Sequence, residues 1–368
     1  MIRDAVLTDV KALTELEMRC FSADRMSERS FRRALTRGKA ALVVDDHHEG
    51  LRGYALALFH ENTSLARLYS ICTVPEARGQ GIAGELLAAV EERAVARGAT
   101  RMRLEVHVGN KAAQKLYHEA GYREFSIYRQ YYDDKGDALR MEKELAPHLA
   151  RDLDRVPFYR QTLDFTCGPA CLMMAMAAQD PETRHDRTEE LRLWREATTV
   201  FMTSGHGGCG PIGLALAAWR RGFGVELSMR DETELFVDSV RSADKKEVIR
   251  LVEKGFAEEL AGTSIRVTTK PLTALDLKDR MAQGGVPVVL ISSYRLTGEK
   301  VPHWVVLTAA DDRFIYINDP YIDIEENRTE TDCIGIPILP AELDRMTQLG
   351  RRKNGASVIV YPKDGARA

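Results

Sequence analysis

The chain has no apolar run long enough to span a bilayer, which excludes a helical membrane protein. Its opening, Met1-Ile2-Arg3-Asp4, lacks the apolar core of a secretory signal and reads as the start of a strand. Cysteine is scarce: six residues (Cys20, Cys72, Cys167, Cys171, Cys209 and Cys333) are too few for a disulfide scaffold. Reduced thiols and a cytoplasmic location are therefore expected. Charge of one sign is also missing, with a net charge of −3. Up to Leu145 there are 23 Lys and Arg against 22 Asp and Glu, and beyond it 29 against 33. Neither part carries the basic field of a nucleic-acid binder. No repeat of solenoid period is present.

What remains is a globular composition, 44% hydrophobic and 29% charged, over 368 residues, enough for two ordinary domains. Residues 2–6 read as a strand, Thr8 as the cap of a helix through Val10, Leu13 and Leu16, and Ser27 as the cap of a second helix. Strand patterns follow at Ala40–Val44, Leu51–Phe59 and Leu65–Thr73. Then come a helix over Ile82–Arg97, a strand over Met102–Val108, a helix capped by Asn110, and two strands ending at Leu145. This order predicts a mixed α/β sheet domain over residues 1–145. Residues 146–154 hold Pro147 and no sustained apolar period, and read as a linker. Beyond it, helices at Cys167–Ala178, Arg187–Thr198, Ile212–Arg221 and within 231–260 precede strands at 264–268, 286–292, 302–309 and 313–318. Residues 155–368 thus predict an α+β domain.

Between the strand ending at Thr73 and the helix from Ile82 lies Arg78-Gly79-Gln80-Gly81-Ile82-Ala83-Gly84. Glycines at a strand-to-helix turn let a ligand approach the backbone, and the helix N-terminus attracts anions, so the loop suits a phosphate or pyrophosphate. Downstream stand Glu105 on a strand and Asn110 to Tyr117 on a helix that stops at Gly121-Tyr122. Taken together, R-x-x-G-x-A at Arg78–Ala83, N-x-x-A-x-x-L-Y-x-x-x-G-Y from Asn110, and Tyr128-Arg129-Gln130-Tyr131-Tyr132 resemble the GNAT N-acetyltransferases. The likeness is to the RimI-type enzymes, which acetylate the α-amino group of a ribosomal protein. It implies a GNAT-like sheet and an acetyl-CoA cofactor. Its pyrophosphate would lie on Arg78, Gly79, Gln80, Gly81, Ile82, Ala83 and Gly84, and its pantetheine arm along Ile71, Cys72 and Thr73, with Asn110 in contact. Glu105 would take the proton of the acceptor amine and Tyr117 would protonate the departing thiolate. A peptide or protein acceptor is implied; a small amine such as an antibiotic would use the same cofactor contacts.

In the second half, Cys167 opens an apolar helix, a position that favours thiolate. His303 opens the run His303-Trp304-Val305-Val306-Leu307, and Asp319 follows the next strand in Asn318-Asp319-Pro320. Adjacent antiparallel strands would bring His303 and Asp319 together, and Gln161 could supply an oxyanion donor. Gln161 six positions before Cys167, with H-W-V-V-L and I-N-D-P, resembles the papain-like peptidases that trim double-glycine bacteriocin leaders. The resemblance implies Cys167 as nucleophile, His303 as base, Asp319 as its orienter and Gln161 as oxyanion donor. No transporter segment accompanies the motif. Cys209, after Gly205-His206-Gly207-Gly208, is a rival nucleophile, and Cys167-x-x-x-Cys171 fits no usual metal or redox spacing. The reading is a bifunctional enzyme with no metal; a peptidase fold kept only to bind peptide is the alternative.

Overall fold

A computed structural model describes the chain except residues 22–24, 60–62, 199–206, 231–241, 324–327, 350–354 and 364–368. It divides into two compact units, Met1–His148 and Leu149–Ala368. Among the described residues no helix is long and apolar enough to cross a membrane.

The first unit runs β1 (Ile2–Asp4), α1 (Val10–Cys20), α2 (Glu28–Thr36), β2 (Ala40–His47), β3 (Gly50–Phe59), β4 (Leu65–Thr73), α3 (Ile82–Val95), β5 (Arg101–His107), α4 (Lys111–Glu119), β6 (Arg123–Tyr128) and β7 (Ala138–Glu144). Thr8 caps no helix: Leu7–Asp9 forms a 3-10 turn and α1 starts one residue after it. Ser27 does cap α2, its side chain accepting from the Ser30 N–H. Seven strands form one sheet in the order β1-β2-β3-β4-β5-β7-β6. Residues 40–45 and 53–57 are buried one after another, which requires cover on both faces of β2 and β3. Helices α1, α2 and α3 supply it. In β5 burial alternates, so Met102, Leu104 and Val106 enter the core while Arg103 and Glu105 share the opposite face.

One departure from a regular ladder positions the first site. Strands β4 and β5 are parallel but pair only from Leu65–Arg67 to Arg101–Arg103, although both strands continue. A bulge on β4 places Tyr69 between the partners of Leu56 and Ala57. Beyond Arg67, β4 keeps β3 on one side and leaves its other edge without a β5 partner.

Within the residues read as a linker, 146–154, Pro147 heads α5 (Pro147–Arg155). The second unit continues α6 (Cys167–Gln179), α7 (Arg187–Ala197), α8 (Pro211–Trp219), β8 (Phe223–Met229), α9 (Ala243–Leu260), β9 (Arg266–Thr268), α10 (Ala274–Ala282) and β10 (Val286–Ser292). Then come α11 (Tyr294–Thr297), β11 (Pro302–Ala310), β12 (Ile315–Asn318), β13 (Ile336–Ile338), α12 (Pro340–Met346) and β14 (Ala356–Lys363). The helical pattern expected over 231–260 is met by α9, and its part at 231–241 lies outside the described residues. The sheet order is β13-β12-β11-β10-β14-β8-β9, with only β8 and β9 parallel. Strands β8, β13 and β14 are additions to the four expected, and β14 sits mid-sheet. Helix α6 is apolar on all sides and buried from Cys167 to Ala177, lying on β10, β11 and β14 beneath α7 and α8. Burying Leu172, Met173, Met174 and Met176 contributes roughly 1.5–3 kcal/mol each.

Two candidate active sites

Because β4 and β5 are parallel, Thr73 and His107 end at the same edge of the sheet, and α3 and α4 both set out from there. Gly79 and Gly81 take φ of 77° and 81°, a region where other residues are strained. Gly81 begins α3 with no side-chain cap, and Arg78, Gly79, Gln80 and Gly81 are exposed. Apart from the glycines' own chain neighbours, no atom of the described residues lies within 4 Å of where a Cβ on Gly79 or Gly81 would project. Ile82 anchors the helix in the core, and Ala83 and Gly84 are half-buried in its first turn. The loop therefore offers N–H groups in open space, and Ile71, Cys72 and Thr73 stand on the part of β4 that has left β5. These features fit an extended ligand carrying amides at one end and a pyrophosphate at the other.

Glu105 is not a free carboxylate. Arg67 Nε donates to its Oε2 at 2.8 Å, and Arg140 Nε lies 3.6 Å from its Oε1. Arg67 also donates to Tyr131 Oη at 2.7 Å. Tyr117 is buried on α4, edge-on to Tyr122 with ring centroids 5.8 Å apart. Burial pushes its hydroxyl pKa up, so it keeps its proton. Asn110 caps α4, its Oδ1 accepting from the Ala113 N–H at 3.1 Å. No motif marks either arginine; each is a cation with no local signature.

In the second unit β11 and β12 are antiparallel, with Val306 opposite Asn318. His303 Nε2 lies 2.8 Å from Asp319 Oδ1. Asp319 is fully buried and its Oδ1 also accepts from the Tyr321 N–H at 2.9 Å. Cys167, buried at the first position of α6, is the imidazole's other titratable neighbour. Burial opposes a charge on His303, but the charge of Asp319, its hydrogen bond and Cys167 raise the ring to about 10. Burial likewise opposes a Cys167 thiolate. The His303 hydrogen bond and charge, with the N–H groups of Trp304 and Gly168, outweigh it and hold the thiol below its ordinary range. The two groups thus favour charge on one another.

Gln161 is buried, its own N–H donating to Pro320 O at 3.0 Å and its Nε2 to Leu163 O at 2.9 Å. That leaves the second Nε2 hydrogen available. The rival Cys209 is buried, and desolvation pushes its thiol well up; the nearby Gly205 and His206 lie outside the described residues. Cys171 is buried too, with its thiol donating to Trp304 O at 3.2 Å and held well up by desolvation. Among the described residues the one group able to gather metal ligands is His47, His48 and Glu49, on an outer turn.

Residues 156–361 match the Peptidase C39 like family, and residues 10–122 match the Acetyltransferase (GNAT) family. A putative [ribosomal protein bS18]-alanine N-acetyltransferase of Bacillus subtilis (strain 168) is 30% identical over 141 residues, 38% of this chain and 92% of that protein. The [ribosomal protein bS18]-alanine N-acetyltransferase of Escherichia coli (strain K12) is 31% identical over 137 residues, 36% of this chain and 90% of the relative. A crystal structure of the ribosomal-protein-S18-alanine N-acetyltransferase from Escherichia coli aligns at 26% identity and TM-score 0.36, covering 39% and 93% of the two chains.

Proposed function

Because the chain belongs to the Peptidase C39 like family and, through its first unit, to the GNAT acetyltransferases, we propose a two-headed enzyme: an N-acetyltransferase of peptide or protein α-amino groups, joined to a thiol peptidase. Residues 1–145 form the first head, 146–154 join it to the second, and 155–368 form that second head.

The first head takes acetyl-CoA, which supplies an activated acetyl thioester. Residues Arg78 to Gly84 receive the pyrophosphate on their N–H groups, the free edge of β4 at Ile71, Cys72 and Thr73 pairs with the amides, and Asn110 borders the site. Glu105 draws the proton from the acceptor amine, while Arg67 and Arg140 hold the carboxylate in place. Tyr117 holds a proton at Oη for the departing sulfur. The bS18-alanine acetyltransferases act on a ribosomal protein by name, which supports a polypeptide acceptor here.

In the second head Cys167 Sγ attacks a peptide carbonyl, His303 passes its Nδ1 proton to the leaving amine, and Asp319 keeps the ring in register. Gln161 Nε2 offers its second hydrogen to the developing oxyanion. The observation that carries this reading is one imidazole 2.8 Å from a buried carboxylate and electrostatically coupled to a thiol at the first residue of a buried helix. Six free cysteines support a reducing compartment, the cytoplasm. The test is a peptide library incubated with the protein and acetyl-CoA, with products read by mass spectrometry. Wild type is expected to give both cleaved and N-acetylated peptides, and Cys167→Ala only the latter. Cleavage that survives Cys167→Ala removes the second assignment.

A further inference from the structure

In the sequence Glu190 is one more charge on helix α7. In the structure its side chain is fully buried, and four neutral donors converge on it. Oε2 accepts from Tyr159 Oη at 2.9 Å and Thr162 Oγ1 at 2.7 Å. Oε1 accepts from the Thr162 N–H at 2.8 Å and from the Thr166 hydroxyl. A carboxylate offers about four acceptor sites and no donor, so this one is filled to capacity. A glutamine in its place has one acceptor oxygen for these four donors: with that oxygen kept on the Thr162 N–H, its N–H₂ faces the Tyr159 and Thr162 hydroxyls, which must turn round to accept.

All four donors lie in the segment Tyr159–Thr166. That segment carries Gln161 and ends at Thr166, the residue before Cys167 and the start of α6. From the opposite side the segment is tied by the Gln161 N–H to Pro320 O, next to Asp319. We propose that Glu190 is a positioning residue for the Cys167 centre. From α7 its carboxylate holds the entry to α6, so that Gln161 and Cys167 Sγ keep their places against His303 and Asp319. The proposal rests on reading Cys167 as a nucleophile.

The test exposes the full-length protein to limiting iodoacetamide over a pH series and follows Cys167 by peptide mapping, with C167A as background. Wild-type Cys167 is expected to react at lower pH than free cysteine. In E190Q, checked for fold by circular dichroism and a cooperative melt, the midpoint is expected to rise by about one pH unit, or about tenfold slower reaction on the acid side. Y159F and T162V each remove one donor and are expected to give smaller shifts of the same sign; they decide the matter if E190Q does not fold. Unchanged Cys167 profiles in folded E190Q, or in both Y159F and T162V, overturn the positioning role. A wild-type Cys167 no more reactive than free cysteine overturns the nucleophile reading, and the role with it.

Discussion

His303 joins two partners whose demands coincide: Asp319 and Cys167 both favour its protonated form, against the cost of burial. Two consequences have a definite sign. Peptide cleavage is predicted to be bell-shaped in pH, rising as Cys167 ionises below its ordinary range and falling as His303 deprotonates through about 10. Asp319→Asn takes away the negative charge that does most to hold the proton on the ring, so its basic limb moves to lower pH; initial-rate profiles of the two proteins check this. In stability, a raised histidine contributes fully below its unfolded value of roughly 6.5, and that contribution drains away as pH climbs through about 10. In the other unit Tyr117→Phe keeps the buried ring but removes the proton at Oη. Acetyl-transfer kcat is expected to fall about 10²-fold with the melting temperature nearly unchanged. A KM effect alone would place Tyr117 in binding. That His303 and Asp319 meet was legible, because adjacent antiparallel strands bring the start of one beside the end of the next. Arg67, Arg140 and Glu190 were not, because a charged residue on a strand or helix looks like a solvated face until its partner, often far along the chain, is known.

Elements show the same division. Helix α6 and strands β11 and β12 were readable as continuous apolar runs, since burial on all sides erases the alternation that would confuse them. The Thr8 cap failed because Asp9 offers the better acceptor: its Oδ2 takes the Val6 N–H at 2.8 Å and tightens Leu7–Asp9 into a 3-10 turn. Strand β14 was missed because its partners, β8 and β10, lie far back along the chain and leave no local trace. Two glycines in the first unit turn element geometry into predictions. Gly81→Ala forces a Cβ onto a backbone at φ 81°, costing about 1–2 kcal/mol where α3 begins. Calorimetric titration is expected to show weaker acetyl-CoA binding as the loop relaxes. At Gly53 an added Cβ would lie 2.6 Å from Cys72 O and 2.9 Å from Leu86 Cδ1. Gly53→Ala therefore pushes β4 off β3, and thermal unfolding should show a loss well beyond that of an ordinary surface alanine.

At the scale of the molecule, the two proposed chemistries are complementary. Hydrolysis of a peptide bond leaves a new α-amine, and an α-amine is the acceptor proposed for the first unit. In a time course with one peptide and acetyl-CoA, acetylated downstream fragments should appear after unacetylated ones and be absent in Cys167→Ala. Acetylation of a peptide supplied with a ready amine should proceed in both proteins. Downstream fragments that never gain an acetyl group would make the two activities independent.

The place of β14 sets an order of events in the making of this protein. The strand lies between β10 and β8, pairing with both, and closes the gap under α6. A nascent chain therefore lacks the middle of its second sheet until the ribosome has added residue 363. Helix α6, made some two hundred residues earlier, rests on β10, β11 and β14 together, so its bed is complete only then. Folding of the second unit thus waits for its last strand and cannot keep pace with synthesis.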